Sequence, residues 1–480
     1  MISQTSSVST AAIGDPVAEP PVKRPHVVFL NRSYWPDSEA TGQLLTELTT
    51  DLTPWFDVTV IAGLPNHVEG EINPTVPGTE EYLGVSIHRA WHSRFSKHSV
   101  LGRLANLATF TLSAWRVARC LRRRPDVLVV ETDPFFLPLI GCRLQRRFEG
   151  CPLICYLQDL YPDIAVAVGK VREGLITRTL RQRLFGVYRQ AHKVIVLSRD
   201  MRQRCESYGV PRSTLEIIPN WADTESIYPI KTNNEFRREY GLENKFVVMY
   251  SGNMGLAHEL DTLLSAAALL HHRTDIEWFF VGEGARRSAL EARVRQLQLG
   301  QVRFLPYQPR SFLAHSLSAA DVHLVSVRSE ASACVMPSKL YGIFASGTPT
   351  IALTEPETEL HDLINDHAVG FTCLPHDDVA LAERIQELAA DAGLVQTLGR
   401  NARRLAEKEF NRRRQTARFA TILCRVLGRP VPAMIEERLA AHTPVTIEAS
   451  TNSHSVAPDP NSDTTLRPIG MNTGIPHRIH

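Results

Sequence analysis

The segment Lys245–Gly255 (KFVVMYSGNMG) decides the fold of this chain, because it joins a short β-branched apolar run to a glycine turn. Such a run is typical of a strand that is buried on both faces of a parallel sheet. The segment Asp261–Leu270 follows the turn and is predicted to be a helix. Glycines let the backbone approach a ligand, and the helix start offers unpaired N–H groups to a phosphate. The segment therefore predicts a Rossmann-like β–α unit with a phosphate-binding turn.

The same alternation of apolar runs and helical segments extends in both directions. The first half contains six predicted strands: His26–Asn31, Asp57–Gly63, Asp126–Glu131, Pro152–Gln158, Lys193–Ser198 and Leu215–Asn220. The second half contains six more: Lys245–Gly252, Glu277–Gly282, Val302–Leu305, Asp321–Val327, Pro349–Leu353 and Gly370–Leu374. Repeated β–α alternation predicts parallel sheets covered by helices on both faces. A chain of 480 residues is too long for one core and suits two.

We therefore predict an α/β protein of two facing Rossmann-like domains with a cleft between them. Residues 25–222 form the first domain, residues 223–411 form the second, and a helix over 412–429 returns to the first. The polar tails 1–24 and 430–480 have no periodic apolar face and are expected to be disordered. Ligands in such folds bind beyond the carboxyl ends of the strands, so both domains should present loops to the cleft.

Composition and charge point away from several functional classes. Hydrophobic residues make up 43% and charged residues 22%, the balance of a soluble globular protein, and a net charge of +2 gives no reason to expect nucleic acid. The eight cysteines are scattered without a CxxC pair, so a zinc site is not expected, and free thiols suit a reducing cytoplasm. The sequence shows neither a signal core nor an apolar stretch of roughly 18 residues. We expect a cytoplasmic protein.

Two glycine pairs in the second half are candidates for binding a ligand. Gly252 and Gly255, with Asn253 between them, lie in the turn after one strand, and Gly282 and Gly284, with Glu283 between them, lie at the end of the next. An isolated glycine pair is more often an ordinary strand–helix turn, but two pairs that open onto one cleft favour a ligand. Neither pair belongs to a GxGxxG pattern with a distal acid, which disfavours a dehydrogenase.

The segment Met336–Thr350 (MPSKLYGIFASGTPT) carries the candidate diphosphate site. Its proline suits the first turn of a helix, which places Ser338 and Lys339 beside unpaired backbone N–H groups. An ammonium group beside those N–H groups can bind a diphosphate. The alternative is a helix with a solvent-facing lysine.

The first half offers two candidates at its strand ends. Gly42 lies at a helix start after the first strand and is predicted to face the diphosphate from the other side of the cleft. Asp159 lies just past a buried strand, where catalytic groups concentrate in this architecture, and is our candidate catalytic residue. A plain helix N-cap is the alternative for the Gly42 loop, and a purely structural role is the alternative for Asp159.

Seven motifs taken together resemble the family 4 glycosyltransferases, a large retaining group with two facing Rossmann-like domains (the GT-B architecture). The bacterial subset that builds O-antigen, exopolysaccharide and other envelope polysaccharides is the most similar. The resemblance covers about residues 26–427 and rests on these stretches: YWPDSEATGQLLTELTTDL, LQDLYPD, IPNWAD, YSGNMG, LDTLLSAA, FVGEGARRSALE and PSKLYGIFASGTP.

The resemblance implies a UDP- or GDP-linked sugar donor, bound mainly by the second domain. It also implies transfer with retention at the anomeric carbon, without a metal or another cofactor. The implied acceptor is a growing glycan on polyprenyl diphosphate, at the inner face of the cell membrane.

The chain departs from the family pattern at the usual glutamate pair. Many members have two acids separated by seven residues, and those places hold Cys334 and Gly342 here. We expect Glu330 to reach the sugar instead, as a second candidate catalytic residue. Glu359, with Glu355 and Glu357 as alternatives on the same loop, is expected to bind the ribose hydroxyls.

The usual basic pair near the YSG turn is also replaced, by Asn253 and His258. The charge that binds the diphosphate must then come from elsewhere. Lys339 is the predicted source, with help from Arg286.

A basic amphipathic segment indicates peripheral contact with an anionic membrane. Leu101–Leu121 has an apolar face and is followed by Arg122–Arg124, a pattern that can lie on anionic lipid. A core helix with a solvated basic end is the alternative. Two other functions also stay open, a nucleotide-sugar epimerase and a non-catalytic nucleotide-sugar-binding protein of a polysaccharide assembly.

Overall fold

A computed structural model describes residues 24–37, 39–65, 76–95 and 100–440, all within one compact unit. The disorder predicted for residues 1–23 and 441–480 falls outside these ranges. Residues 430–440 were expected to be disordered as well, but 433–440 form a helix. Ile435 in that helix is fully buried, and the Arg438 guanidinium lies 4.9 Å from the centre of the Trp55 ring. A helix of two turns is too short to be recognised by its periodicity.

The first half of the chain folds into an eight-stranded sheet. Its strands are β1 (His26–Leu30), β2 (Asp57–Gly63), β3 (Thr79–Tyr82), β4 (Val85–Ala90), β5 (Val127–Val130), β6 (Leu153–Tyr156), β7 (Lys193–Val196) and β8 (Leu215–Ile217). They lie in the order β3-β4-β2-β1-β5-β6-β7-β8, and only the β3–β4 pair is antiparallel. β3 and β4 are absent from the predicted strands because both carry polar residues among the apolar ones.

Helices pack on this sheet. They are α1 (Ala40–Leu52), α2 (Val100–Arg119), α3 (Leu137–Arg147), α4 (Asp163–Ala167), α5 (Leu175–Tyr188) and α6 (Arg199–Ser207). α3 packs against both α2 and α5, so these three helices lie side by side on one face. Among the described residues, no helix is long and apolar enough to cross a membrane.

The second half folds into a six-stranded sheet that is parallel throughout. Its strands are β9 (Phe246–Ser251), β10 (Ile276–Val281), β11 (Val302–Leu305), β12 (Val322–Ser326), β13 (Thr350–Leu353) and β14 (Gly370–Cys373), in the order β11-β10-β9-β12-β13-β14. Its helices are α7 (Glu235–Tyr240), α8 (Asp261–Leu269), α9 (Arg287–Gln296), α10 (Leu313–Ser318), α11 (Lys339–Ala345), α12 (Glu359–Asp366), α13 (Asp378–Ala390) and α14 (Ala392–Glu409).

Each sheet has a point at which the connections change direction. In the first sheet that point lies between β1 and β5, and in the second it lies between β9 and β12. The loops beyond the carboxyl ends of two such strands diverge and leave a crevice, which is where ligands bind in open α/β sheets. The topology therefore directs attention to the loops after these four strands.

The last two described helices lie on the first domain. Helices α15 (Arg412–Val426) and α16 (Ala433–Ala440) pack on each other, and α15 packs on α1. The ring of Phe419 in α15 lies 6.1 Å from Phe29 of β1 and 5.4 Å from Tyr156 of β6. Arg412 adds an ion pair to Asp51 at 2.7 Å. This helix thus joins the second half of the chain to the core of the first.

Candidate active site

The two glycine turns of the second domain are in direct contact. Gly252 (φ +146°) follows β9 and Gly282 (φ +133°) follows β10, a conformation that L side chains rarely adopt. A Cβ atom on Gly282 would collide with the carbonyl oxygen of Gly252. The Met254 N–H donates to the carbonyl of Glu283 at 2.7 Å. The predicted pairs thus form one glycine-lined surface at the carboxyl ends of β9 and β10.

Lys339, the first residue of α11, lies directly against this surface. Its Nζ donates to the Tyr250 hydroxyl at 2.5 Å and is 3.8 Å from the centre of the Tyr250 ring. A Cβ atom on Gly252 would lie 2.9 Å from Cε of Lys339, closer than real contacts allow. The absence of a side chain at Gly252 therefore gives Lys339 its place beside the turn.

The electrostatics around Lys339 suit an anionic ligand. Burial lowers the pKa of Lys339 to about 7, and no carboxylate pairs with it among the described residues. Burial and the nearby Lys339 charge lower the pKa of His258 to about 3, so this histidine is neutral. His258 Nδ1 donates to the Ser326 carbonyl at 2.6 Å. Binding of a diphosphate by Lys339 stays a prediction, and these surroundings are compatible with it.

The other basic side chains near the glycine turns already have acidic partners. Arg286 pairs with Asp261 at 2.6 Å, so it does not add a free charge beside Lys339. Arg287 pairs with the exposed Glu283, also at 2.6 Å. Glu283, a predicted nucleotide or sugar ligand, thus uses one carboxylate oxygen in an ion pair with α9.

Ser338 and Asn253, two further predicted diphosphate ligands, are exposed. Ser338 precedes α11 and its hydroxyl makes no capping hydrogen bond, so the helix start is open. The Asn253 carbonyl accepts a hydrogen bond from the Tyr250 hydroxyl at 2.8 Å. The Asn253 amide lies over Gly255, where an added Cβ atom would be 3.0 Å from Nδ2. The structure thus brings the five predicted diphosphate ligands of the second domain together at one sheet edge.

Gly42, the sixth predicted diphosphate ligand, has a packing role. It lies in the first turn of α1, where an added Cβ atom would be 2.5 Å from Ser33 Oγ and 3.1 Å from the Tyr34 backbone nitrogen. Glycine therefore lets α1 pack against the loop after β1. Contact of Gly42 with a diphosphate stays a prediction.

Acidic groups gather at the facing edge of the first domain. Burial and the neighbouring Asp133 raise the pKa of Asp159 to about 6, against an opposing effect of Lys170. Burial also raises the pKa of Asp133, against the opposing charge of Arg32. Arg32 lies 3.0 Å from Asp133 and 3.1 Å from Glu39. Asp159 can therefore hold or exchange a proton near neutral pH.

The two edges meet where the Asp159 loop contacts the start of α11. Asp159 and Val335 form an antiparallel β-bridge. The Leu160 N–H donates to the Cys334 carbonyl at 3.0 Å. Lys339 follows Val335 by four residues. The candidate catalytic residue of the first domain thus lies beside the segment that carries the candidate diphosphate ligand of the second.

Glu330 and Glu359 occupy different surroundings. Glu330 is exposed in a single 3₁₀ turn, Ser329–Ala331, which packs against α4 next to the Asp159 loop. The Glu359 carboxylate accepts a hydrogen bond from the Arg199 backbone N–H at the start of α6, and the Glu359 N–H donates to Asp200 at 2.8 Å. Glu359 of α12 therefore caps the start of α6, and Asp200 of α6 caps the start of α12. Contacts of both glutamates with a nucleotide sugar stay predictions.

Three residues of the site were missed from the sequence. Tyr250, Arg32 and Asp133 all lie at or just beyond the end of a strand beside a switch point. The rule that selected Asp159, a polar residue just past a buried strand, also applies to Arg32 and Asp133. Tyr250 belongs to a buried apolar run, so nothing in the sequence marks its hydroxyl as a partner of Lys339.

Two family models match the chain. The Glycosyl transferase 4-like domain matches residues 41–221, and Glycosyl transferases group 1 matches residues 232–405. The chain belongs to the family 4 glycosyltransferases. The matches fall on the two sheets described above, so this glycosyltransferase has the fold and the enzyme class that its sequence motifs predict.

Curated relatives and solved structures agree with this assignment. The glycosyltransferase is 29% identical over 300 residues to the probable glycosyltransferase WbjE of Pseudomonas aeruginosa, covering 62% of this chain and 74% of WbjE. It is 27% identical over 291 residues to the putative colanic acid biosynthesis glycosyl transferase WcaI of Escherichia coli, covering 58% and 70%. The Anabaena HepE structure in complex with UDP-glucose has a TM-score of 0.63 at 16% identity, covering 83% of this chain and 99% of HepE.

Proposed function

We propose that this glycosyltransferase moves a sugar from a UDP- or GDP-linked donor to a growing, lipid-linked cell-envelope polysaccharide, with retention of the anomeric configuration. The observation that carries the proposal is the placement of Lys339 against Tyr250 and Gly252, a partly buried cation without a carboxylate partner in the described residues. The name of the relative WcaI places its activity in colanic acid biosynthesis, which supports a polysaccharide acceptor.

The donor would bind at the glycine turns of the second domain. Lys339 and the start of α11 at Ser338 would hold the diphosphate, with Gly252, Asn253 and Gly255 allowing its close approach. Gly282, Glu283 and Glu359 are the proposed contacts of the nucleotide and the sugar. The UDP-glucose complex of HepE, which has the same fold, supports a nucleotide sugar as ligand.

The proposed chemical step needs no enzymic nucleophile. The bond from the anomeric carbon to the diphosphate oxygen breaks while the acceptor oxygen bonds to the same face of that carbon. The acceptor proton passes to the departing phosphate oxygen, and Lys339 stabilises the developing charge. Asp159 would orient the acceptor hydroxyl, since positioning accounts for much of the barrier in a two-substrate reaction. No metal or other cofactor takes part in this proposal.

A contact of α2 with the inner face of the cell membrane would bring the enzyme to a lipid-linked acceptor. The outward side of α2 is apolar, with Leu101 79% exposed, and Leu104 and Leu112 about half exposed. Arg116 and Arg119 lie in its last turn. An outward apolar stripe with basic residues suits an anionic lipid surface. On this basis we propose a cytoplasmic enzyme that binds the membrane peripherally.

A screen of UDP- and GDP-sugars tests the donor proposal. Binding to the native state raises Tm, so the true donor should give the largest shift, and Lys339→Ala should lose most of it. Incubation of that donor with membranes should then place label in the lipid extract. Absence of a shift with every nucleotide sugar would reject the donor proposal.

A non-catalytic nucleotide-sugar-binding protein is the second candidate function, because the buried Cys334 occupies the place of the usual glutamate. Such a protein would show the same Tm shift in the donor screen. It would transfer no sugar to membranes from a strain that makes the polysaccharide, whereas a transferase would.

A further inference from the structure

The first turn of α5 presents two adjacent aliphatic side chains to solvent. Leu175 is 81% exposed and Ile176 is 84% exposed, the highest values among the large hydrophobic side chains of the described residues. Val171, just before them, is also exposed. Large apolar side chains that protrude together indicate a surface that another phase or molecule covers. We call Val171, Leu175 and Ile176, with the cations around them, the α5 surface.

The charges around these side chains are almost all positive. Lys170, Arg172 and Arg183 are exposed and form no ion pair among the described residues. Glu173 is the one acid between residues 170 and 189. Its carboxylate lies 2.9 Å from Arg181 and 3.4 Å from Arg178, and these hydrogen bonds lower its pKa to about 2. The α5 surface therefore combines exposed apolar groups with several cations of the same segment.

Hydrogen bonds and ion pairs stabilise the turn that carries Leu175 and Ile176. Thr177 is buried, its hydroxyl donates to the Gly174 carbonyl at 2.8 Å, and the Gly174 N–H donates to that hydroxyl at 2.8 Å. Arg181 joins the same turn to Asp163, at 3.1 Å, as well as to Glu173. The backbone therefore fixes the outward direction of the two aliphatic side chains.

We propose that the α5 surface is a second membrane-binding element and that an anionic lipid surface is its partner. The protruding shape and the surrounding cations match a bilayer interface, which accepts aliphatic groups below a negatively charged headgroup layer. α2 and α5 flank α3 on one face of the first sheet, and both begin at its carboxyl edge. Two helix spacings place their first turns roughly 20 Å apart, so one flat surface can contact both.

The α5 surface is connected to the candidate active site. The charge of Lys170 opposes the rise in the pKa of Asp159, so the two residues are electrostatic neighbours. α4 begins four residues after Asp159 and leads directly to Lys170. Contact of this surface with lipid would hold the Asp159 edge close to the bilayer. This consequence rests on the proposed lipid-linked acceptor, whereas membrane binding itself does not.

Flotation of the full-length chain with vesicles tests the proposal. Vesicles of phosphatidylcholine with 30% phosphatidylglycerol would be compared with phosphatidylcholine alone, which we expect to bind weakly. The double variant Leu175→Ser/Ile176→Ser should lower the partition coefficient on anionic vesicles at least about tenfold. Val379→Ser/Met434→Ser, at two apolar positions elsewhere that are 55% and 53% exposed, is the control and should bind as the wild type does.

The cations can be tested separately from the aliphatic groups. Arg172→Gln/Arg183→Gln should lower binding to anionic vesicles by about 25-fold, since each basic residue near such a surface contributes about fivefold. The same variant should leave the weak binding to neutral vesicles unchanged. An equal loss on both kinds of vesicle would contradict the electrostatic part of the proposal.

Two outcomes would overturn the proposal. One is wild-type partition of Leu175→Ser/Ile176→Ser with unchanged Tm, which would leave α2 as the sole membrane contact. The other is a wild-type dimer in analytical ultracentrifugation that this variant abolishes, which would make a second copy the partner. The Tm shift with nucleotide sugar, measured on the same samples, reports on the proposed function independently.

Discussion

The two sheet edges that meet at the candidate active site have opposite electrostatic character. The edge of the second domain has glycine turns and Lys339, whose pKa is lowered to about 7 by burial. The edge of the first domain has Asp133 and Asp159, and burial together with their proximity raises the pKa of Asp159 to about 6. The difference supports the proposal that each domain serves one substrate, with the diphosphate at the cationic edge and the acceptor hydroxyl at the acidic edge.

The largest effect is expected from a change at the acidic edge. Asp159→Asn should lower turnover by about 10²-fold, the cost of a misplaced reacting group, while donor affinity stays unchanged. Sugar transfer into the lipid extract and the donor-induced Tm shift measure the two quantities. Asp366→Asn, an exposed acid at the end of α12, is the control. Wild-type turnover in Asp159→Asn would make Asp159 purely structural.

At the cationic edge the expected loss is in donor binding. Lys339→Ala should lower the affinity for the nucleotide sugar by about 10–100-fold, the range for a lost charge-assisted hydrogen bond. Isothermal titration calorimetry measures this change. Lys408→Ala removes an exposed lysine from α14 and should have no effect. Equal affinities of wild type and Lys339→Ala would reject the diphosphate role.

Gly252→Ala tests whether the lack of a side chain at Gly252 is needed to position Lys339. The new Cβ atom would lie 2.9 Å from Lys339 Cε at a strained φ, so stability should fall by about 1–3 kcal/mol and donor affinity should fall with it. Gly150→Ala is matched for a positive φ, but a Cβ atom there meets no neighbour within 4 Å. Thermal denaturation should show a loss in both variants, and only Gly252→Ala should bind the donor more weakly.

A smaller effect concerns stability without ligand. The pKa of Lys339 in the folded state, about 7, lies below its ordinary value because burial destabilises the charged ammonium. Below pH 7 the folded-state lysine is charged, so its burial lowers the free energy of unfolding by the full amount. Lys339→Met should therefore raise the Tm of the ligand-free protein by about 3–5 °C at pH 6. The gain should shrink as the pH rises above 7, because the wild-type lysine then loses its charge in the folded state. A lower Tm at pH 6 would show that the contact with Tyr250 outweighs the burial.

The strand pattern of the fold could be predicted because doubly buried strands leave a strong signal. The run Lys245–Gly252 became β9, Phe246–Ser251, and the run Pro349–Leu353 became β13, Thr350–Leu353. This hydrophobic signal is weak in elements that are buried on one side only, and such elements were not predicted. β3 (TEEY) lies at the edge of its sheet, and α16 buries little more than Ile435.

The candidate site was predicted less completely than the fold. Glycine turns and Lys339 could be found because each follows a strand or opens a helix, which local sequence shows. The partner of Lys339 is Tyr250, 89 residues away, and that of Glu359 is the start of α6, 160 residues away. Such pairings depend on how sheets and domains pack, and a single sequence does not encode them locally.

The central claim is that Lys339 is the cation that binds the donor diphosphate. Calorimetric titration of the nucleotide sugar at pH 8, in two buffers of different ionisation enthalpy, counts the protons taken up on binding. A lysine with a pKa of about 7 is mostly neutral at pH 8 and must gain a proton to pair with the diphosphate. We predict an uptake of close to one proton per donor bound in the wild type and none in Lys339→Arg. Donor binding without proton uptake in the wild type would contradict the account.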